Sequence, residues 1–216
     1  MLHCLKSTSR TVHHYHEQQN KTNVISDEAA CTSLTVWRKS LVFGCSGFTA
    51  IASDGSLAYR VDNYTCRPDQ IVLMDGSGNP IFTIRSPKKL RLVPNYWHVY
   101  EGEVGKNMKN SSKKPVFCAR KNMKLMGMTK TNVLAYVYCG VSDVRKCTYV
   151  VEGSYRHRSC KILDESRRVV GEIKKKEGGG RGGVCFGVEV FELVVRPGLE
   201  CRVAMAVVIL LDQMLS

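Results

Sequence analysis

The sequence predicts a mainly β fold: a closed antiparallel barrel that encloses a C-terminal hydrophobic α-helix. Three observations carry this. Nine consecutive apolar residues, Val203 to Leu211, stand between Arg202 and Asp212. A helix that is apolar all the way round has no solvent face and belongs inside something. From Leu34 to Arg196 the chain consists of short apolar or alternating runs punctuated by turn residues, without a long helical period. That is the texture of an antiparallel sandwich or barrel. A weak internal repeat divides this region into two similar parts. Two such halves followed by one apolar helix suit a closed barrel with the helix down its axis.

Residues 1–33 are polar and lack apolar periodicity, so they read as a flexible tail before a domain at 34–216. The domain opens with strand-like runs at Leu34-Thr35-Val36-Trp37, Phe48-Thr49-Ala50-Ile51, Leu57-Ala58-Tyr59-Arg60-Val61, Ile71-Val72-Leu73-Met74, Ile81-Phe82-Thr83-Ile84 and Trp97-His98-Val99-Tyr100. Ser53-Asp54-Gly55, Asp75-Gly76-Ser77-Gly78-Asn79 and Gly102 between them are hairpin chemistry. The repeat pairs Leu73-Met74-Asp75 and Ile81-Phe82-Thr83-Ile84-Arg85 with Ile162-Leu163-Asp164 and Val170-Gly171-Glu172-Ile173-Lys174. In both copies apolar residues follow the Asp by six and nine positions. Each copy then runs into a basic cluster: Lys88, Lys89 and Arg91 in the first, Lys174, Lys175 and Lys176 in the second.

Pro197-Gly198 breaks the strand pattern and suits the start of a helix over about 199–215. Its expected core residues are Val203, Met205, Val207, Val208, Ile209, Leu210 and Leu211. Gross burial of such a run is worth roughly 10–25 kcal/mol. A membrane span needs about 20 apolar residues, more than twice this run, so no transmembrane segment is expected.

A length of 216 residues allows one large β domain or two small ones. The N-terminus lacks an apolar run of signal-peptide length, so the expected location is cytoplasmic rather than secreted. The ten cysteines include no CxxC pair and are expected to be reduced. The three sequons at Asn20, Asn63 and Asn110 are then chance matches. The net charge of +13 is unevenly placed: residues 85–130 carry twelve Lys or Arg against Glu101 and Glu103, and residues 145–183 carry eleven against five acids. Two basic regions on a near-neutral scaffold point to an anionic partner, either phospholipid headgroups or nucleic acid.

Other constellations read as structural. Gly178-Gly179-Gly180-Arg181-Gly182-Gly183 lacks the Gly-Lys-Ser/Thr and following helix of a phosphate-binding P-loop, and is a hairpin loop. His13, His14 and His16 with Cys4 lie in the tail and offer no preformed metal geometry. Cys147, His157 and Cys160 lack the paired spacing of a zinc site. No Gly-x-Ser-x-Gly elbow occurs, and only His98 and His157 are available as bases outside the tail. Asp62, Asp75 and Asp164 read as turn residues held by Asx hydrogen bonds. No metal, cofactor or catalytic group is therefore expected. In Lys89-Leu90-Arg91, strand alternation puts the two cations on one face, and two cations at short separation suit a phosphate.

Leu34-Thr35-Val36-Trp37-Arg38-Lys39-Ser40-Leu41, Tyr59-Arg60-Val61-Asp62-Asn63-Tyr64 and Ile71-Val72-Leu73-Met74-Asp75 resemble the plant LURP-one-related family. So do Tyr149-Val150-Val151-Glu152-Gly153-Ser154, Ser159-Cys160-Lys161-Ile162 and the Pro197-Gly198-Leu199-Glu200 approach to the final helix. The resemblance covers 34–216 in unbroken order and leaves out the tail. It implies the fold of the tubby C-terminal domain and the phospholipid scramblases, a twelve-stranded antiparallel barrel around a hydrophobic helix. Arg202 departs from the pattern, where a small residue is expected, and belongs at the barrel mouth with its guanidinium in water. The resemblance further implies a non-enzymatic protein of a superfamily of membrane-tethered transcription factors. Such a protein would bind phosphoinositides or acidic membranes peripherally at the plasma membrane, act in the nucleus, and serve plant defence. The alternatives are a nucleic-acid-binding module using the same cations and, less favoured because the helix is too short to span, a lipid scramblase. The lipid, protein partners and oligomeric state are not legible.

Overall fold

A computed structural model describes residues 31–63, 70–87, 96–105, 114–123, 132–140, 147–177 and 186–215. Alternating apolar residues form twelve strands: β1 (Thr32–Trp37), β2 (Ser46–Ala52), β3 (Leu57–Asn63), β4 (Gln70–Asp75), β5 (Pro80–Arg85), β6 (Tyr96–Glu101), β7 (Phe117–Lys121), β8 (Val133–Cys139), β9 (Cys147–Ser154), β10 (Ser159–Leu163), β11 (Val169–Lys175) and β12 (Val190–Val195). Each pairs antiparallel with its sequence neighbours, and β12 pairs with β1 to close the barrel. The expected fold class is the observed one. The first strand begins at Thr32, two residues before the expected domain start. The expected tail falls, up to residue 30, outside the described residues, as do Cys4, His13, His14, His16 and Gly178–Gly183.

The internal repeat is a pair of equivalent hairpins, β4–β5 and β10–β11. Each carries a bulge at the same place, between Leu73 and Met74 and between Ile162 and Leu163. In the first, the Asp75 amide donates to the Asn79 carbonyl (3.0 Å) and the Asn79 amide donates back to Asp75 Oδ1 (2.8 Å). In the second, the Asp164 amide donates to the Arg168 carbonyl (3.0 Å) and the Arg168 amide donates to Asp164 Oδ1 (2.9 Å). Hydrogen bonds from the Asn79 side chain and amide hold the Asp75 carboxyl below its ordinary value, and at Asp164 desolvation is outweighed by those from the Arg168 amide and guanidinium, with the same result. Asp62 differs from the expectation. It lies within β3, buried, and accepts hydrogen bonds from Ser40 Oγ and from Arg60 Nε (2.6 Å) rather than capping a turn.

The helix α1 (Cys201–Leu215) fills the barrel. Gly198 turns the chain inward at φ 96°, a left-handed conformation that glycine adopts without strain. The Glu200 carbonyl then accepts the first helical bond from Ala204 (2.9 Å). Ala204 to Asp212 are all buried, as is Met214, while Val203 packs partly buried at the mouth. Fifteen residues rise about 22 Å, close to the length of a six-residue strand at about 3.3 Å per residue. The helix therefore runs from one mouth to the other. At the lower mouth, where it begins, Arg202 keeps its guanidinium partly in water. There it bonds Glu101 (3.0 Å) and Glu200 (2.6 Å) and lies 5.4 Å from the Phe82 ring. The upper mouth is where the helix ends.

Ile209 is fully buried at the centre of this helix. Ile209→Ala should lower the unfolding free energy by about 2–4 kcal/mol in urea titration. Removal of residues 199–216 should leave an empty wall that aggregates, visible by size-exclusion chromatography; a monomeric truncation of native-like stability would contradict the enclosed-helix architecture.

Candidate functional site

The upper mouth gathers the charged chemistry of the fold. The carboxylate of Asp212 is drawn into the barrel with the helix and is nearly buried. Arg38, just past the end of β1, reaches over the rim to it, with Nε 2.8 Å from Oδ1 and Nη2 3.4 Å from Oδ2. The Tyr155 hydroxyl donates to the same Oδ1 (3.3 Å). Burial, and then the adjacent Asp212 charge, push the Tyr155 phenol well above its ordinary value, so it stays a donor. The last turn of α1 carries no basic residue. The wall supplies one instead: Lys121 at the end of β7 donates to the Met214 carbonyl (2.8 Å), placing a cation at the negative end of the helix dipole.

Arg158 occupies the turn between β9 and β10 in a left-handed conformation (φ 49°) and is 5% exposed. Its guanidinium lies between two rings, 4.2 Å from the Tyr155 centroid and 4.3 Å from that of Phe191. Nε donates to the Val188 carbonyl (2.7 Å), but Nη1 is buried and meets no acceptor among the described residues. Desolvated cation–π contacts are worth about 2 kcal/mol. A buried donor without an acceptor costs about 1–3 kcal/mol, and more when charged. Arg158 also forms part of the wall of an open groove of about 730 Å³ along the upper ends of β10 and β11.

Three of the expected headgroup-binding cations line this groove, but not as one cluster. Lys174 faces outward on β11 and bridges to Glu172 (3.0 Å), which also meets Arg196 (3.3 Å). Glu172 is desolvated by burial, yet these hydrogen bonds prevail and hold its carboxyl below the ordinary range. Lys175 pairs across the sheet with the buried Phe191, so its register is that of the inward face, at the rim. Lys176 follows just beyond the strand. Lys88, Lys89 and Arg91 lie outside the described residues; the flanking strands end at Arg85 and resume at Tyr96. Arg158 escaped notice in the sequence, because a cation in a tight turn reads as solvated.

The same mouth exposes apolar side chains. Leu41 and Phe43 lie on the connection after β1, Met123 after β7, and Phe186 and Val188 before β12, all exposed. Trp37 at the end of β1 lies under the Lys39 ammonium at 5.3 Å. Among the described residues, Val116 is the one exposed large apolar side chain at the lower mouth.

The cysteines offer no activated nucleophile among those with a displaced value. Burial pushes the Cys160 thiol up to about 11 and raises Cys139 and Cys147 as well, which keeps them protonated. Cys147 begins β9 at the lower mouth and Cys160 lies at the start of β10 at the upper one, so the sequence trio with His157 is not assembled. Cys118 and Cys160 pack as buried apolar groups while Cys31 is exposed. Among the described residues no three His, Cys, Asp or Glu groups gather as a metal site, and no helix is long and apolar enough to cross a membrane.

A closed twelve-strand barrel around a C-terminal helix defines the tubby-like class of fold. A solved X-ray structure of a protein from Arabidopsis thaliana shares it, with a TM-score of 0.58 at 21% identity, covering 85% of this chain and 91% of that one. The chain belongs to the LURP-one-related family, which matches residues 32–212. Its relatives in Arabidopsis thaliana include LURP-one-related 17, 46% identical over 98% of each chain, and LURP-one-related 8, 47% identical over 88% of this chain and 90% of the other. LURP-one-related 5 is 36% identical over 84% and 82% of the two. The family match begins at residue 32, while the alignment to LURP-one-related 17, over 98% of this chain, also takes in part of residues 1–33.

The Arg38–Asp212 pair predicts a definite mutational result. Arg38→Ala leaves a buried carboxylate without its guanidinium and should lower stability by about 2 kcal/mol in urea titration. That is less than for a fully enclosed pair, because the Arg38 side chain is 37% exposed. Adding Asp212→Asn to Arg38→Ala should recover part of the loss.

Proposed function

We propose that the protein is a non-enzymatic binding module that docks on acidic, phosphoinositide-containing membrane surfaces by the upper mouth of its barrel. The observation that carries this reading is the concentration of exposed apolar side chains there, Leu41, Phe43, Met123, Phe186 and Val188, beside the exposed cations Lys39, Arg156 and Lys175. Apolar side chains ringed by cations are what an acidic bilayer surface favours: the former enter the acyl boundary and the latter face the headgroups. Each Lys or Arg near such a surface contributes about 1 kcal/mol, and each buried large apolar side chain about 1.5–3 kcal/mol. The helix takes no part in spanning, since it is already enclosed by protein. Lys88, Lys89 and Arg91 belong to the proposal on their sequence alone.

Cosedimentation with vesicles containing phosphatidylserine and phosphatidylinositol 4,5-bisphosphate tests it. Wild type should bind, and binding should weaken as salt is raised. Leu41→Ser/Phe43→Ser should weaken it at least tenfold. Lys88→Ala/Lys89→Ala/Arg91→Ala should weaken it by about two decades. A wild-type protein that ignores the vesicles but binds duplex DNA with a steep salt dependence would establish the nucleic-acid alternative instead.

A further inference from the structure

We infer that the groove beside Arg158 is a binding site for a phosphate monoester, with the Arg158 guanidinium as its buried anchor and Lys174, Lys175 and Lys176 as its cationic rim. This deepens the membrane reading by naming a ligand group and a residue for it, and it rests on observations of its own. Arg158 is fixed from three directions: the Tyr155 and Phe191 rings, set edge to face, meet its guanidinium from two sides, and the Val188 carbonyl accepts from Nε. What remains is Nη1, a charged donor that is buried and without an acceptor among the described residues, on a side chain whose residue lines the groove. A guanidinium presents its donors in a planar fork suited to phosphate oxygens, and charge-assisted bonds of this kind are the strong ones. An arginine already immobilised loses little freedom on binding.

The charge balance of the groove favours a multiply charged anion. Arg158, Lys161, Lys174, Lys175 and Lys176 line it. Three acids stand against these five cations: Glu172 is met by Lys174 and Arg196, Glu192 accepts from the Ser33 hydroxyl at 2.6 Å, and Glu177 is exposed, which leaves the cations in excess by two. A volume of about 730 Å³ lies within the size range of small-molecule sites. A phosphate monoester therefore fits better than a carboxylate, because it supplies three acceptor oxygens and close to two negative charges to several donors at once. A lipid headgroup and a free soluble phosphate both carry such a monoester, and the chemistry at Arg158 is the same for both.

Titration calorimetry with inositol 1,4,5-trisphosphate, run beside vesicle cosedimentation, tests the site and separates the two sources. Wild type should bind the soluble probe and melt at a higher temperature in its presence. Arg158→Lys, which keeps the charge but loses the fork, should weaken probe binding at least tenfold. Lys175→Gln/Lys176→Gln alters rim side chains and should weaken it about tenfold; it decides the matter if Arg158→Lys does not fold. Probe binding that both variants retain, or a wild type that neither binds nor is stabilised, would overturn the site. If the probe binds through these residues while vesicles do not, the ligand is a soluble phosphate and the membrane reading fails alone. If vesicles bind equally well to wild type and to the groove variants, the membrane reading stands and the groove is rejected.

Discussion

Burying Ala204–Asp212 on every side of one helix requires a wall that surrounds it, and most of this molecule is that wall. A single sheet covers one face of a helix. A barrel of eight strands has an interior just wide enough for its own side chains, whereas a helix with side chains is about 10–12 Å across. Twelve strands closed by the β1–β12 pairing give the necessary width and leave no exposed sheet edge. The inward positions on the strands, among them Val36, Phe82, Ile84, Ile173, Phe191 and Leu193, are buried against the helix in one continuous core. The polar positions that remain near the axis are therefore confined to the mouths, where Arg202 answers to Glu101 and Glu200 below and Asp212 answers to Arg38 and Tyr155 above.

Filling the barrel also decides where recognition can take place. Empty barrels bind ligands in their lumen, but here Met205, Ile209 and Leu210 occupy it. Surfaces for partners are left at the mouths and on the outer wall. On the outer wall near β10 and β11 charges of both signs interleave, Lys161 across from Glu172 on one side and Glu152 on the other and Lys174 paired to Glu172, and the surplus of cations comes from the rim. The upper mouth is different, since it carries exposed apolar side chains and a guanidinium with an unmet donor.

The parts of the fold that were legible in the sequence are those set by local pattern. The apolar run from Val203 to Leu211 could only be an enclosed helix, and the six early strand runs each fall inside an observed strand because period-two alternation is a property of neighbouring residues. The repeated Asp at 75 and 164 announced two equivalent hairpins, down to their Asx bonds. The number of strands was not readable this way and came from the family resemblance, since bulges and the glycine at position 153 interrupt alternation in the second half. The misreadings concern contacts distant in sequence. Asp62 looked like a turn residue beside Asn63, but its partner Ser40 is on another segment. Strand geometry sends the consecutive side chains of Lys174 and Lys175 to opposite faces, and all three lysines still line one groove. Arg38 and Asp212, which meet at the rim, lie at opposite ends of the domain.

Arg158 is the sharpest case, because its burial depends on Phe191 from a strand that the turn itself does not predict. Two arginines stand at the upper mouth under opposite conditions. Arg38 seals the end of the helix by neutralising Asp212, so its charge is used within the fold. Arg158 meets two rings and the Val188 carbonyl and, among the described residues, no carboxylate, so its charge is held rather than cancelled. For stability alone an apolar side chain of similar volume does as well or better than a buried ion. Tyr155 links the two, donating to Asp212 through its hydroxyl while its ring carries the Arg158 guanidinium. The residue that closes the barrel over its helix thus also fixes the orientation of the cation beside the groove. Stability of the mouth and readiness of that cation rest on the same aromatic side chain.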